Sequence, residues 1–227
     1  MSLRKKTPWQ TKAVMTQIYD LGFWGKGSVE DKFYSGDGSH DPKIIDPYIQ
    51  FVQAFLQSFP NKLSVVDLGC GDFNIGKNFV QFTQKYYALD VVEELIAYNS
   101  QKFNFPNVQF SCVDIAKDNL PKADCAIIRQ VLQHLSNKEI GLLIPKLAQY
   151  QYIILTEHIP DGDFIANKDI ITGQGIRLKQ NSGVDVTKEP FNLKPLKSTT
   201  ILQSKSSKYK VVIEGHSDEI SWYVNYI

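Results

Sequence analysis

Long hydrophobic runs are missing from this sequence. Among its 227 residues, no apolar stretch approaches the roughly 20 residues that a membrane-spanning helix needs, so we predict no association with a membrane. The basic residues within positions 1–6 lead into Thr-Pro-Trp-Gln and not into the apolar core of an export signal. We therefore expect a cytoplasmic protein.

Cysteine and histidine are both scarce, with three and four residues respectively. The cysteines form an odd set without a close pair, which argues against a disulfide framework. We expect reduced thiols, with Cys70 in a glycine loop and Cys112 and Cys125 in buried strands. The histidines lie far apart, and neither a Cys-x-x-Cys nor a His-x-x-x-His spacing occurs. No metal site is predicted.

A large net charge is also missing, because 25 Lys and Arg residues nearly balance 24 Asp and Glu residues. The basic residues are scattered, without the stripe or the aromatic stacking platform of a nucleic-acid-binding surface, so nucleic acid is not an expected partner. A local excess does occur, since residues 164–210 hold nine basic and three acidic residues. It is either a solvated face or a surface that favours an anionic ligand.

The most informative feature that is present is a glycine loop after an apolar strand. Residues 64–68 form the predicted strand, which contains Asp67 and continues into Gly69-Cys70-Gly71. Glycine at both positions removes the Cβ atoms that would keep a ligand away from the backbone. A helical pattern beginning near Ile75 would place a helix N-terminus beside the same point. We predict a cofactor pocket there.

The sequence that follows repeats the alternation of strands and helices. Further strands are predicted over residues 85–90, 108–114 and 123–129. Asp90 lies 19 residues beyond Gly71, near the spacing at which a carboxylate meets ribose hydroxyls in nucleotide-binding units. Because parallel strands end at the same edge of a sheet, Asp67, Asp90 and Asp114 should line up there. Such an edge suits a polar ligand with several hydroxyl groups.

Over residues 63–158 the chain resembles a class I S-adenosylmethionine-dependent methyltransferase. The resemblance rests on residues 66–71, 88–90 and 112–115. The competing interpretation, a nicotinamide-dependent dehydrogenase, expects a third glycine where this chain has Asn74. The resemblance implies an α/β fold, three-layered and Rossmann-like, with a mostly parallel seven-stranded sheet and a C-terminal antiparallel strand.

The resemblance also implies a role for each residue of the cofactor site. In that family the glycine loop cradles the methionine and ribose parts of S-adenosyl-L-methionine, and the carboxylate after the second strand binds the ribose diol. Asp114 would accept a hydrogen bond from the adenine amino group. The cofactor-binding residues implied in this way are Asp67, Gly69, Gly71, Asp90, Val91, Asp114, Ile115, Arg129 and Gln130.

The implied activity is methyl transfer to a small-molecule acceptor, including an anionic one, at oxygen or nitrogen. A hydroxyl acceptor must lose its proton, for which the candidate catalytic residues are His134, Glu157 and His158. A lone histidine such as His134 is also a common structural residue. The candidate substrate residues are Trp24, Tyr34, His40 and Arg177. The alternative is a non-catalytic protein of this fold that binds the cofactor or a protein partner.

Outside the resemblance, the organisation is read from periodicity. Residues 1–60 should form a helical cap, with helices over residues 9–19 and 46–59 and Asp46 as the cap of the second. Residues 33–42 form either a lid or an ordinary surface turn. Residues 61–227 should form the methyltransferase core, with an insertion over residues 159–208. The resemblance implies a final antiparallel strand pair, for which residues 209–214 and 220–226 are the candidates.

Overall fold

A six-stranded sheet forms the centre of the protein. The computed structural model describes residues 8–28, 31–194 and, as backbone, 209–212. The sheet order is β3-β2-β1-β4-β5-β6, with the first five strands parallel and β6 antiparallel to β5. The strands are β1 (Ser64–Leu68), β2 (Lys85–Asp90), β3 (Val108–Cys112), β4 (Cys125–Arg129), β5 (Tyr152–Pro160) and β6 (Tyr209–Val212).

The central strands are continuous apolar runs because both faces of the sheet are covered. In β4, the four residues from Cys125 to Ile128 are all buried. The order of the strands reverses between β1 and β4, which continue to opposite edges of the sheet. In open α/β sheets, ligands bind beyond the carboxyl ends of the strands at such a point. The topology therefore places the site above Leu68 and Arg129.

Four α-helices within the described part of the chain complete the layers. Buried side chains of α2 pack with one set of strand residues, and those of α1 and α4 pack with the set on the other face. The second helix begins where Asp41 accepts a hydrogen bond from the Lys43 amide and Pro42 occupies the first turn. The helices are α1 (Thr11–Asp20), α2 (Pro42–Gln57), α3 (Glu93–Lys102) and α4 (Asn137–Leu147).

The predicted three-layer Rossmann-like fold is confirmed, with several local corrections. The sheet has six strands over the described residues, and residues 220–226, predicted as a further strand, lie outside them. Helix α2 is capped by Asp41, so the prediction of Asp46 as its cap was wrong. The helix expected near Ile75 is replaced by two 3₁₀ turns. Cys112 is exposed and not buried.

The segment after β5, residues 161–194, packs on the sheet and on α4 with little regular structure. Val184 and Val186 are buried in the core. The Asn167 side chain holds the segment together, because its amide donates to the Asp185 and Glu189 carbonyls and its oxygen accepts from the Asp185 amide. The division at residue 60 into cap and core stays a prediction. Among the described residues, no helix combines the length and the apolarity needed to cross a membrane.

Candidate active site

A cavity of about 480 Å³ lies beyond the carboxyl ends of β1, β2 and β4. The parallel topology brings together at this edge residues that are widely separated in the sequence. All nine predicted cofactor-binding residues line the cavity, as do Trp24, His134 and His158. Tyr34, His40, Glu157 and Arg177 are not among the described residues that line it.

The glycine loop is held open by its backbone conformation and by Asp90. Gly69 and Gly71 have φ angles of +89° and +54°, in the left-handed region that favours glycine. The Asp90 carboxylate accepts hydrogen bonds from the amides of Gly71 and Val92, each at 3.1 Å. Burial raises the pKa of Asp90. A Cβ atom on Gly71 would lie 2.5 Å from the Ser35 Oγ, so this loop accepts only glycine without rearrangement.

Asp67 lies beneath the loop, one residue before the end of β1. The Tyr86 hydroxyl donates to it at 2.8 Å. Burial raises the pKa of Asp67 to about 7, against the lowering effect of the Tyr86 hydrogen bond. The Asn99 amide donates to the Gly71 carbonyl at 2.8 Å and fixes the loop from the other side.

The adenine end of the cavity is predicted at Asp114 and Ile115, just beyond β3. The Asp114 carboxylate accepts from the Ala116 amide at 3.1 Å and pairs with Lys117 at 2.6 Å. Ile115 is buried, and Thr11 and Met15 of α1 line the same cavity. The first helix thus closes this end.

Residues 35–39 pack against the glycine loop and form one wall. The Ser35 amide donates to Asp72 at 2.8 Å, and the Asp72 amide donates to the Ser35 hydroxyl at 2.9 Å. Arg129 donates to the Gly38 carbonyl at 2.5 Å, which ties the wall to the end of β4.

Tyr34 and His40 lie behind this wall and not in the cavity lining, so the structure does not support their predicted contact with the acceptor, which stays a prediction. The His40 ring is bonded to Asp72 at 2.6 Å and stacks on Tyr34 with ring centroids 4.3 Å apart. The Tyr34 hydroxyl donates to Asp37 at 2.5 Å. Both side chains support the residues that line the cavity.

Two imidazoles and an indole, from His134, His158 and Trp24, also line the cavity. The His134 Nδ1 lies 3.1 Å from the Gly173 carbonyl oxygen; since a carbonyl only accepts, Nδ1 carries the proton and Nε2 a lone pair. The Trp24 ring lies 5.2 Å from the His134 ring, centroid to centroid. Each imidazole Nε2 is hydrogen-bonded to one glutamine amide, His134 to Gln133 and His158 to Gln130, each at 3.3 Å.

Both imidazoles are neutral at neutral pH. Burial lowers the pKa of His134 to about 4, and it does the same for His158, aided by the nearby Arg129 charge. We call Trp24, His134, His158, Gln130 and Gln133 the acceptor wall. Gln133 was missed by sequence reasoning, although it lies beside His134. Its side chain also accepts from the His158 amide at 3.3 Å.

Glu157 and Arg177 hydrogen-bond to the backbone and are not among the described residues that line the cavity. Glu157 is fully buried and accepts hydrogen bonds from the Leu132 and Gln133 amides, a placement that does not support its predicted role as a base. Burial raises the pKa of Glu157 to about 8. Arg177 is 1% exposed and donates to backbone carbonyls, so it is not the surface residue expected to attract an anion.

Comparison with known proteins identifies the middle of the chain. Residues 65–150 match the model of a family described as a methyltransferase domain. This region is a methyltransferase domain. The region contains most of the residues that line the cavity. The match confirms the predicted family, enzyme class and cofactor, S-adenosyl-L-methionine. No curated protein sequence matches the chain.

Solved methyltransferase structures share the fold at low sequence identity. Magnesium protoporphyrin IX methyltransferase (ChlM) from Synechocystis PCC 6803, with bound SAM, is 20% identical with a TM-score of 0.52, over 75% of this chain and 83% of that chain. The N-methyltransferase NodS from Bradyrhizobium japonicum WM9, with bound S-adenosyl-l-homocysteine, is 12% identical with a TM-score of 0.53, over 65% of this chain and 74% of that one. These similarities support the fold.

Proposed function

We propose that this methyltransferase domain transfers the methyl group of S-adenosylmethionine to an oxygen or nitrogen atom of a small, uncharged acceptor. One observation carries the proposal: a single cavity joins all nine predicted cofactor residues to the acceptor wall. Asp90 would bind the ribose diol, and Asp114 and Ile115 the adenine. Arg129 would face the methionine carboxylate, which places the sulfonium methyl toward the acceptor wall.

The electrostatics of the cavity favour an uncharged acceptor. The acceptor wall carries no formal charge at neutral pH because both imidazoles are neutral. Arg129, the guanidinium in the lining, already donates to Gly38 and Ser39. The anionic acceptor expected from the basic residues after position 164 loses its main support, since Arg177 is buried in the fold.

The chemistry requires alignment and the removal of a proton. When bound, the cofactor supplies an electrophilic methyl group, and the protein must place the acceptor in line with the methyl–sulfur bond and exclude water. The acceptor becomes more acidic as its bond to the methyl group forms. The Nε2 lone pair of His134, which accepts a hydrogen bond from the Gln133 amide, would exchange that partner for the acceptor and take its proton, with His158 as the second candidate. Trp24 would provide the apolar surface for the acceptor.

The names of the similar structures are compatible with this proposal. One acts on a porphyrin and the other is named as an N-methyltransferase, so both small-molecule and nitrogen acceptors occur on this fold. Neither name identifies the acceptor of this chain.

Two measurements test the proposal. Calorimetric titration with S-adenosylmethionine and S-adenosylhomocysteine should show binding of both. A screen that detects S-adenosylhomocysteine formation should then find turnover with uncharged amines or hydroxylated compounds and little with carboxylates or phosphates. Cofactor binding without any turnover would favour the non-catalytic alternative, and absence of binding would overturn the whole proposal.

Variants of the acceptor wall separate catalysis from binding. His134→Gln and His158→Gln should leave cofactor affinity within a few-fold of native, because the cofactor is held by the strand ends. The loss of a proton acceptor should lower kcat by about 100-fold for the true base and much less for the other residue. Equal, small effects of both variants would show that neither histidine takes the proton.

A further inference from the structure

The connection from β4 to α4, residues 130–136, carries both Gln133 and His134 but little structure of its own. Its regular part is a single 3₁₀ turn, Leu132–His134. Because a short 3₁₀ turn has poorer hydrogen-bond geometry than an α-helix, contacts with neighbouring segments are needed to hold this connection in place. Those neighbours come from residues 167–177, which belong to the segment after β5.

Residues 167–177 bond to this connection along its length. The Gly173 amide donates to the His134 carbonyl at 3.0 Å, and the His134 ring donates back to the Gly173 carbonyl. The Ser136 amide donates to the Thr172 hydroxyl at 2.9 Å. The Asn137 amide, at the start of α4, donates to Asp169 at 2.7 Å.

Arg177 is the centre of this contact. Its Nη1 donates to the Leu132 and Gln133 carbonyls at 3.2 and 3.4 Å. Its Nη2 donates to the Leu135 carbonyl at 2.8 Å and to the Asn137 side chain at 2.7 Å. With Nε on the Lys168 carbonyl, all five N–H groups of the guanidinium have a partner.

Glu157 holds the same turn from the opposite side. It accepts from the Leu132 and Gln133 amides at 2.8 and 2.9 Å, while Arg177 donates to the carbonyls of those two residues. The carboxyl oxygens of Glu157 lie at the positive, amide end of these peptide dipoles, and the guanidinium of Arg177 lies at their negative, carbonyl end. Rotation of the turn would break bonds on both sides at once.

We propose that Arg177 is a positioning residue that holds the turn so that His134 lines the cavity with its proton fixed on Nδ1. The expected effect of Arg177 on catalysis rests on the proposed function, whereas its effect on the position of His134 does not. Arg177 does not contact the cavity, and it acts through the backbone of residues 132–135. It also places Gly173, four residues before it, where the carbonyl fixes the proton on His134 Nδ1.

The test compares Arg177→Lys and Arg177→Gln with Lys179→Gln. Lys179 lies in the same 3₁₀ turn but is exposed, so Lys179→Gln removes the same charge without touching the connection. Lysine at 177 keeps the charge but cannot reproduce the forked pattern of donors. Each variant is examined by circular dichroism, by calorimetric titration with S-adenosylhomocysteine and by ¹⁵N NMR of the imidazoles, with His134 assigned through His134→Gln.

We expect each Arg177 variant that folds to bind S-adenosylhomocysteine with a dissociation constant within a few-fold of that of native protein. The native His134 signal should report a single Nδ1–H tautomer, and the variants should show a mixture. With an acceptor from the screen above, kcat should fall by about tenfold to 100-fold while KM changes little, since small misplacements of a reacting group are costly. Lys179→Gln should behave as native protein in every measurement.

The readouts separate failure of the inference from failure of the proposed function. If native protein shows no turnover, the proposed function fails, and the tautomer measurement still decides whether Arg177 positions His134. A native tautomer in both Arg177 variants would overturn the inference. If Arg177→Gln does not fold, the ¹⁵N spectra of two other variants test the inference. These are Arg177→Lys and Asn137→Ala, the second of which removes one acceptor of the guanidinium.

Discussion

At the scale of single residues, the carboxylates at the strand ends already accept hydrogen bonds from protein donors. Asp90 holds the Gly71 and Val92 amides, and Asp67 holds the Tyr86 hydroxyl. Each ionised carboxylate has about four acceptor positions, so Asp90 keeps capacity for two ribose hydroxyls. The same side chain would therefore both shape the glycine loop and bind the cofactor.

Asp90→Ala should weaken S-adenosylmethionine binding because both sets of hydrogen bonds are lost. Hydrogen bonds to a charged group contribute about 1.5–3 kcal/mol, which corresponds to a dissociation constant raised by roughly tenfold to 150-fold. Calorimetric titration measures the change, and circular dichroism checks the fold. Asp46→Ala, at an exposed position of α2, is the control and should bind as native protein does. An unchanged affinity in Asp90→Ala would contradict the ribose assignment.

At the scale of elements, the glycine loop leads into two 3₁₀ turns and not into an α-helix. A pyrophosphate group binds at an α-helix N-terminus, where several free amides and the helix dipole meet. Three-residue turns such as Gly76–Asn78 provide little of either. This favours a ligand without phosphate at the loop, as S-adenosylmethionine is, and it disfavours the dehydrogenase interpretation on structural grounds.

The described part of the segment after β5, residues 161–194, packs into the core, while the prediction of an insertion over residues 159–208 stays a prediction. Gly183 lies so close to β5 that a Cβ atom there would be 2.9 Å from the Ile159 Cα and 2.5 Å from its Cγ2. The neighbouring Val184 and Val186 are buried. Close approach of the two backbones at Gly183 allows these valines to reach the core.

Gly183→Ala should therefore destabilise the protein, because the Ile159 backbone cannot move away. Overpacking of this kind typically lowers the free energy of unfolding by about 1–3 kcal/mol. Urea denaturation gives the value. Gly175→Ala is the matched control, since a Cβ atom there would have no atom within 4 Å, and it should change stability by less than about 0.5 kcal/mol. Equal stabilities of the two variants would show that the segment packs loosely on β5.

At the scale of the whole molecule, buried ionisable groups act in opposite directions as pH changes. His134 and His158 have pKa values of about 4, below the ordinary 6.5, so their neutral forms favour the folded state. Their contribution is complete above pH 6.5 and is lost as pH falls toward 4. Asp67 and Glu157 have raised pKa values of about 7 and 8, so their contribution is present at low pH and lost as pH rises through those values.

His158→Gln isolates one of these contributions. The native protein should lose about 1–2 kcal/mol of stability relative to the variant between pH 7.5 and pH 5, because the unfolded chain takes up a proton that folded His158 does not. Urea denaturation of both proteins at the two pH values gives the difference. A constant difference in stability would mean that His158 takes up its proton equally well in the folded protein and in the unfolded chain.

One further contact joins distant parts of the molecule. Glu139 of α4 accepts hydrogen bonds from the hydroxyls of Thr11 in α1 and Thr172 in the segment after β5, and it also bonds to Ser136. This carboxylate lines the cavity near the predicted adenine end. Helix α1, α4 and residues 167–177 are therefore connected at the site itself.

Motif order and spacing in the chain were enough to predict the parallel sheet and the glycine loop, and to expect the strand-end carboxylates at one edge. Parallel strands end at one edge, so positions such as Asp67, Asp90 and Asp114 could be brought together from their order in the chain alone. The tertiary structure decided the rest. Arg177 meets Leu132 across 45 residues and Glu157 meets Leu132 across 25, through loops without periodicity. Only the path of those loops, and the burial that follows from it, shows that both charged residues hold the backbone behind His134.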